Sequence, residues 1–247
     1  EAFAGISLAV ANAEKNLANA RELFESYLNN VFIQKSDRWE EKTLDEVCSI
    51  KHGFAFKSQF FATVGDYVVL TPGSFYEHGG FREQGKKTKY YNGEVPTDYI
   101  LDKGDFLFAM TEQAVGLLGS SMIVPEPNYF LHNQRLGLVQ VFDGMNWDND
   151  FFHHQFNTKY FRRAVQATAS GLKVRHTSPT KLGAISIVFP SDISEQKKIS
   201  SKLNVMNVQV QQLETIYQQK LTALNELKQS ILQKAFTGEL TKREENV

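Results

Sequence analysis

A chain of 247 residues with 42% hydrophobic and 22% charged residues has material for one or two globular domains, and its net charge of −1 gives no global attraction for nucleic acid or membrane. A single cysteine, Cys48, excludes an intramolecular disulfide framework and a cysteine-rich zinc site, and points to a reducing, cytoplasmic setting. No apolar run approaches the roughly 18–20 residues that cross a bilayer, and no signal peptide is visible, so no membrane partner is expected.

Residues 1–33 are rich in Ala, Asn, Leu and Glu, with one Gly and no Pro, and predict a helix. Residues 37–192 hold all 6 Pro and 14 of the 16 Gly, with short apolar runs between turn signals. Strands are expected at Tyr67–Thr71, Asp105–Met110, Ser121–Val124, Leu136–Phe142 and Ile185–Phe189, each β-branched or aromatic and bounded by Gly, Pro or Asp. Asp150–Ala169 reads as one helix, capped by Asp148 or Asp150 and ended by Gly171. Residues 194–236 contain neither Gly nor Pro and predict a single helix about 65 Å long, too long for an ordinary core helix.

That last helix carries an apolar seam of period 3.5. One series is Leu203, Val210, Tyr217, Leu224 and Ile231, and a second runs Ile199, Met206, Leu213, Lys220, Leu227 and Lys234. The first helix repeats it at an offset of 204 residues: Leu17, Glu22, Leu23, Ser26, Leu28 and Phe32 match Leu221, Glu226, Leu227, Ser230, Leu232 and Phe236. Leu23 and Tyr27 are therefore expected in the seam, with Asn16 and Lys220 as its polar members. Ala9, Ala13 and Ala20 would allow close approach. The expected fold is α+β: a globular α/β domain over 37–192, with long helices over 1–34 and 193–240 packed as an antiparallel coiled coil, and a tail over 241–247.

No catalytic motif is present. Gly-x-Gly-x-x-Gly, a Walker loop, His-Glu-x-x-His, Gly-x-Ser-x-Gly and the Asn/Asp-Pro-Pro-aromatic tetrapeptide of amino-methyltransferases are all missing, so no enzyme activity and no bound cofactor is expected. His153 and His154 are adjacent on a predicted helix and point about 100° apart, a poor metal pair. Glu112 stands as a lone carboxylate.

Charge distribution is more informative. From Phe151 to Ser191 there is no acidic residue, while Lys159, Arg162, Arg163, Lys173, Arg175, Lys181 and three histidines lie there. A second cluster holds Lys51, Lys57, Arg82, Lys86, Lys87 and Lys89 against Asp66, Glu77 and Glu83. Two basic segments in a neutral chain predict a one-sided phosphate-binding face on double-stranded DNA. Gln134 and Arg135 suit bidentate contacts to adenine and guanine edges, and the Gly171–Ser178 loop adds Lys173, Arg175, His176 and Thr177. The alternative is a structural coiled-coil adaptor whose globular domain binds protein.

FPSDISEQKKI, followed by a long helix ending LNELKQSILQKAFTGEL, resembles the conserved region of type I restriction–modification specificity subunits. There a Glu-Gln pair, here Glu195–Gln196, precedes the spacer helix, which ends near Phe236–Leu240. NAEKNLANARELFESYLNNVF is similar to the family's central spacer helix, and WEEKTLDEVCSIKHGFAFKS resembles the start of its target-recognition domain. HNQRLGLV and GLKVRHTS resemble later motifs. The resemblance implies a non-catalytic subunit that reads half of a split DNA site. Its partners would be modification (methyltransferase) subunits using S-adenosylmethionine, and a restriction subunit using ATP and Mg. A full subunit of the family has two recognition domains, and this chain shows one. It opens on Glu1 inside a predicted helix, so it is expected to be the C-terminal half of a longer protein; the rival is a half-subunit that forms a homodimer.

Overall fold

The computed structural model describes residues 2–113 and 115–237. The first helix, α1, runs Ala2–Ile33. It is followed by β1 (Trp39–Thr43), β2 (Cys48–His52), β3 (Phe61–Ala62), β4 (Tyr67–Leu70), β5 (Tyr90–Tyr91) and β6 (Phe106–Ala109). Next come β7 (Thr111–Glu112), β8 (Ser121–Ile123), β9 (Phe130–His132), β10 (Leu136–Val141), α2 (Asn149–Phe156) and α3 (Lys159–Ala167). The chain closes with β11 (Arg175–His176), α4 (Pro179–Gly183), β12 (Ser186–Pro190) and α5 (Ile193–Phe236). Gly238, Glu239 and Leu240 of the FTGEL segment, and the tail over 241–247, lie outside the described residues. Two compact units result: α1 up to Tyr27 with α5 from Leu203, and Leu28–Lys202. The second unit is wider than the 37–192 expected from composition, because it takes in the last turn of α1 and the first turns of α5.

The helical unit is an antiparallel pair. The end of α1 that adjoins the other unit in sequence is its C-terminus, that of α5 its N-terminus, and Arg21 meets Glu214 across the pair at 2.8 Å. That ion pair is exposed and contributes under about 1 kcal/mol. Burial is the stronger force: Ile6, Ala13 and Ala20 of α1 and Leu203, Val210 and Leu221 of α5 are the buried side chains. Tyr217, Leu224 and Ile231 are half-buried on the same stripe.

The second seam series needs correction. Met206 is half-buried, but Leu213 and Leu227 are exposed, and so are Leu23 and Tyr27 on α1. The stripe instead steps four residues from Leu203, Val210 and Tyr217, reaching Asn207, Glu214 and Leu221. Steps of three or four both keep an apolar stripe on one face, and the partner decides which is covered.

In the other unit, β6 is the spine. It lies inside the antiparallel sheet β2-β10-β6-β8, and all four of its side chains are buried. Phe106 and Phe108 face a core with Phe151, Phe152, Phe156 and Phe161, while Leu107 and Ala109 face one with Leu70, Phe75, Met122 and Phe130. Alternation along a strand sends successive side chains to opposite faces, and here both faces are apolar. The second sheet, β3-β5-β4-β9, is antiparallel except for the parallel pair β4–β9. Many of the 19 Phe lie in these contacts, and Trp147 stacks on Phe152 at 3.7 Å. Cys48, on β2, is buried beneath them with its thiol 3.4 Å from the Leu44 carbonyl oxygen, and burial pushes that thiol up to about 12.

The helix expected over Asp150–Ala169 is two helices. Asp148 caps α2, accepting from the Phe151 N–H at 2.9 Å. Thr158 then ends one helix and starts the next: its hydroxyl donates to the Gln155 carbonyl at 2.7 Å and accepts from the Phe161 N–H at 3.3 Å. A residue that satisfies orphan groups on both sides makes a break cheap.

The Glu195–Gln196 pair has a clear structural role. Glu195 accepts from the Trp39 indole N–H at 3.2 Å. Gln196 is fully buried; it accepts from the Asp148 N–H at 2.9 Å and donates to the carbonyls of Asn146 at 3.1 Å and Pro190 at 2.9 Å. One amide therefore joins the first turn of α5 to the start of α2 and the end of β12. Gln196→Ala strands three backbone groups, and chemical denaturation should show a loss of about 2–3 kcal/mol; a loss under about 0.5 kcal/mol would contradict this role.

Candidate nucleic-acid interface

Three segments singled out from the sequence meet where β6 ends. Met110, which follows β6, donates its N–H to the Arg135 carbonyl at 2.9 Å and accepts from the Thr177 N–H at 3.0 Å. The Asn133–Arg135 turn thus lies on one side of it, and on the other β7 pairs with β11, Arg175 opposite Glu112. The third segment joins the turn directly: Phe54 donates to the His132 carbonyl at 2.8 Å, and Gln134 donates back to Phe54 at 2.9 Å. Gly53 makes this approach possible, since a Cβ there would collide with the Asn133 carbonyl.

Strand direction brings the lysine cluster to the same end. β4 and β9 run parallel and β5 runs against β4, so the C-terminal ends of β4 and β9 lie beside the N-terminal end of β5. Lys86, Lys87 and Lys89 immediately precede β5, and the Lys89 carbonyl accepts from the Val69 N–H at 2.8 Å. Residues 53–57, 86–89, 133–135 and 171–177 therefore collect at one end of the unit.

The side chains within that end fall into two groups. Lys57, Lys86, Lys87, Gln134, Arg135 and Lys173 are exposed. Lys89 is also exposed, its ammonium 5.6 Å from the Phe61 ring, and His176 is exposed with its Nε2 3.1 Å from the Ser170 hydroxyl. Others have internal partners. Lys51 donates to the Asp98 carbonyl at 2.8 Å and lies over the Tyr99 ring at 4.6 Å. Thr177 is buried, sharing a 2.7 Å hydrogen bond with Thr168, and its side chain is not available as an outward contact. Arg175 is ion-paired with Glu112 at 3.1 Å and donates to the Gln166 carbonyl at 3.1 Å.

Glu112, a lone carboxylate in the sequence, has four partners in the fold, and these are what sequence reasoning missed. Its carboxylate is buried and accepts from the N–H groups of Gly116 and Leu118, each at 2.9 Å, from the Gln166 amide at 3.3 Å and from Arg175. Arg162 donates to the Gly116 carbonyl and to Asn157 at 3.3 Å; burial lowers its guanidinium to about 10 against the pull of Glu112 and Glu77, so it stays charged at neutral pH. Of the six cations in the acid-free stretch, Arg175 thus pairs with a carboxylate outside it, and Arg162 feels the same carboxylate together with Glu77. The missing acid was itself the signal, because arginines that lose part of their hydration need a counter-charge from somewhere. Tyr76, His78 and Arg82 were also missed as a group: the two rings stack at 5.1 Å, with the guanidinium 6.0 Å from Tyr76.

His153 and His154 turn to different surroundings, their ring centroids 5.8 Å apart, and His153 Nδ1 lies 3.0 Å from the Ser121 hydroxyl. Among the described residues no group of three His, Cys, Asp or Glu is placed to hold a metal, and no helix is long and apolar enough to cross a membrane.

Residues 36–233 match the family described as the type I restriction modification DNA specificity domain. A curated relative, the type I restriction enzyme EcoBI specificity subunit of Escherichia coli, is 28% identical over 231 residues, which is 93% of this chain and 45% of the relative. A solved structure described as the basis of complex assembly and conformational transition of the type I R-M system superposes with a TM-score of 0.74 at 16% identity, covering 95% of this chain and 56% of that one. The HsdS subunit from Thermoanaerobacter tengcongensis gives 0.61 at 17% identity, covering 94% and 54%. At these identities the structures show the fold, which has two long helices and a small mixed-sheet unit, and the chain spans about half the length of the relatives it matches. The family match reaches from before β1 into α5, across all the segments that converge at the end of β6, and the chain belongs to the type I restriction–modification DNA specificity family.

Proposed function

We propose that this chain is a DNA-recognition module of a type I restriction–modification complex, reading one half of a bipartite site in double-stranded DNA. The convergence of residues 53–57, 86–89, 133–135 and 171–177 at one end of the unit carries the reading, because it gathers exposed Lys57, Lys86, Lys87, Arg135 and Lys173 in a chain of net charge −1. Lys57, Lys86 and Lys87 suit phosphates, while Gln134 and Arg135, with Lys173 on its hairpin, have the donor and acceptor types for base edges. On this reading the long helices dock methyltransferase subunits, a restriction subunit completes the complex, and S-adenosylmethionine, ATP and Mg bind to those partners. This chain supplies the address and no chemistry.

The test is a fluorescence titration of a mixed-sequence duplex from low to moderate salt, with methyl-transfer, nuclease and ATPase assays on the same preparation. Binding should weaken steeply as salt rises, since each neutralised phosphate releases counterions, and all three activities should be absent. Salt-insensitive binding, or methyl transfer by the pure chain, would sink the proposal. Loss of DNA binding together with retention of a protein partner would instead favour an adaptor.

A further inference from the structure

We propose that Glu112 is the positioning residue of the recognition end, locking the hairpin that carries Lys173 to the end of α3 and so setting sequence discrimination rather than overall affinity. This rests on the DNA-recognition reading above. The base of the hairpin is held at Thr177, which donates to the Met110 carbonyl and hydrogen-bonds Thr168, but residues 171–174 themselves have little to hold them in place. The hairpin is closed by two backbone bonds between Ser170 and His176, at 3.0 and 2.9 Å, and joined to the sheet through the two-residue pairing of β11 with β7. Gly171, at φ +101, makes the turn, in a backbone region that disfavours any other residue. Leu172, Lys173 and Val174 project into solvent.

The Glu112–Arg175 pair is the firm attachment. Arg175 spans from the hairpin to the end of α3, touching both the Glu112 carboxylate and the Gln166 carbonyl. The Glu112 side chain is 1% exposed and that of Arg175 32%, so the pair is screened from water on the carboxylate side. The same carboxylate holds Gly116 and Leu118, and Arg162 braces Gly116 from the other side. A phosphate contact tolerates a mobile lysine, because a flexible ammonium finds its partner. Base-edge readout does not, since it needs donors held within about 0.5 Å. A buried network of four donors on one carboxylate serves the second need.

The experiment first enriches a binding duplex from a randomised library using the unaltered chain, then compares that duplex with a scrambled one for four proteins. Glu112→Gln should remain folded and keep the salt slope on the scrambled duplex, yet lose discrimination by roughly 10- to 100-fold. Arg175→Met should do the same, and Arg175→Lys, which keeps a cation against Glu112, should recover most of the discrimination. The Arg175 pair carries the test if Glu112→Gln does not fold, since both variants leave the carboxylate in place. Full discrimination by a folded Glu112→Gln would overturn the proposal. So would an Arg175→Lys as defective as Arg175→Met, which would mean that the guanidinium itself reads a base. A chain that enriches no sequence would overturn the DNA-recognition reading, and this proposal with it.

Discussion

Glu112→Ala should destabilise the unit over Leu28–Lys202 by about 3–5 kcal/mol, a large share of the stability of a domain this size. The carboxylate has four donors and almost no contact with water. Its removal leaves two backbone N–H groups without an acceptor, takes the paired counter-charge from Arg175 and leaves the desolvated Arg162 with Glu77 alone. The cost comes mainly from groups left unpaired, because a buried donor without an acceptor costs its full desolvation and the half-buried Arg175 adds a smaller charge penalty. Urea denaturation followed by Trp fluorescence measures it, since Trp147 lies against the Phe152 core. A change below about 1 kcal/mol would show that water replaces the carboxylate, and the hub would then be decorative.

The triple substitution Lys86→Ala, Lys87→Ala and Lys89→Ala should lower the slope of log affinity against log salt by roughly 2–3 on any duplex, since each neutralised phosphate contributes about 0.9. The three lysines precede β5 at the end where the other exposed cations gather. Lys103 gives an internal control: it is equally exposed, but it precedes β6 and so lies at the opposite end of that strand. Lys103→Ala should leave the slope unchanged. Equal effects from the two would place the DNA elsewhere.

The five strands expected from sequence all appear, within a residue or so at each end, because each is an apolar run with at least one buried face, and β4, β6 and β10 lie inside their sheets. β6 is the clearest case, with an apolar demand from both faces. β3, β5, β7 and β11 were invisible because two residues carry no periodicity, and they form only where distant segments meet them. The break between α2 and α3 was missed because Asn157 and Thr158 are tolerable inside a helix, and only the geometry of Gln155 and Phe161 turns Thr158 into a double cap. On α5, hydrophobicity favoured Leu213 and Leu227 over Glu214, yet Arg21 selects the glutamate. The basic segments were readable as composition. Which cations were already spoken for was not, since Arg175 and Glu112 lie 63 residues apart.

Cys48 offers a clock for the opening of the core. It is the only thiol in the chain, buried beside Leu44, with its ionisation pushed up to about 12. Thiolate, not thiol, reacts with disulfide reagents, so near pH 8 the closed state is doubly protected, by access and by charge. Any labelling must pass through a state in which β2 has left β10, and the labelling rate then counts such excursions directly. A bound ligand that slowed the rate would report how far it holds the sheet closed, without a tag, a probe or a second cysteine to confuse the signal.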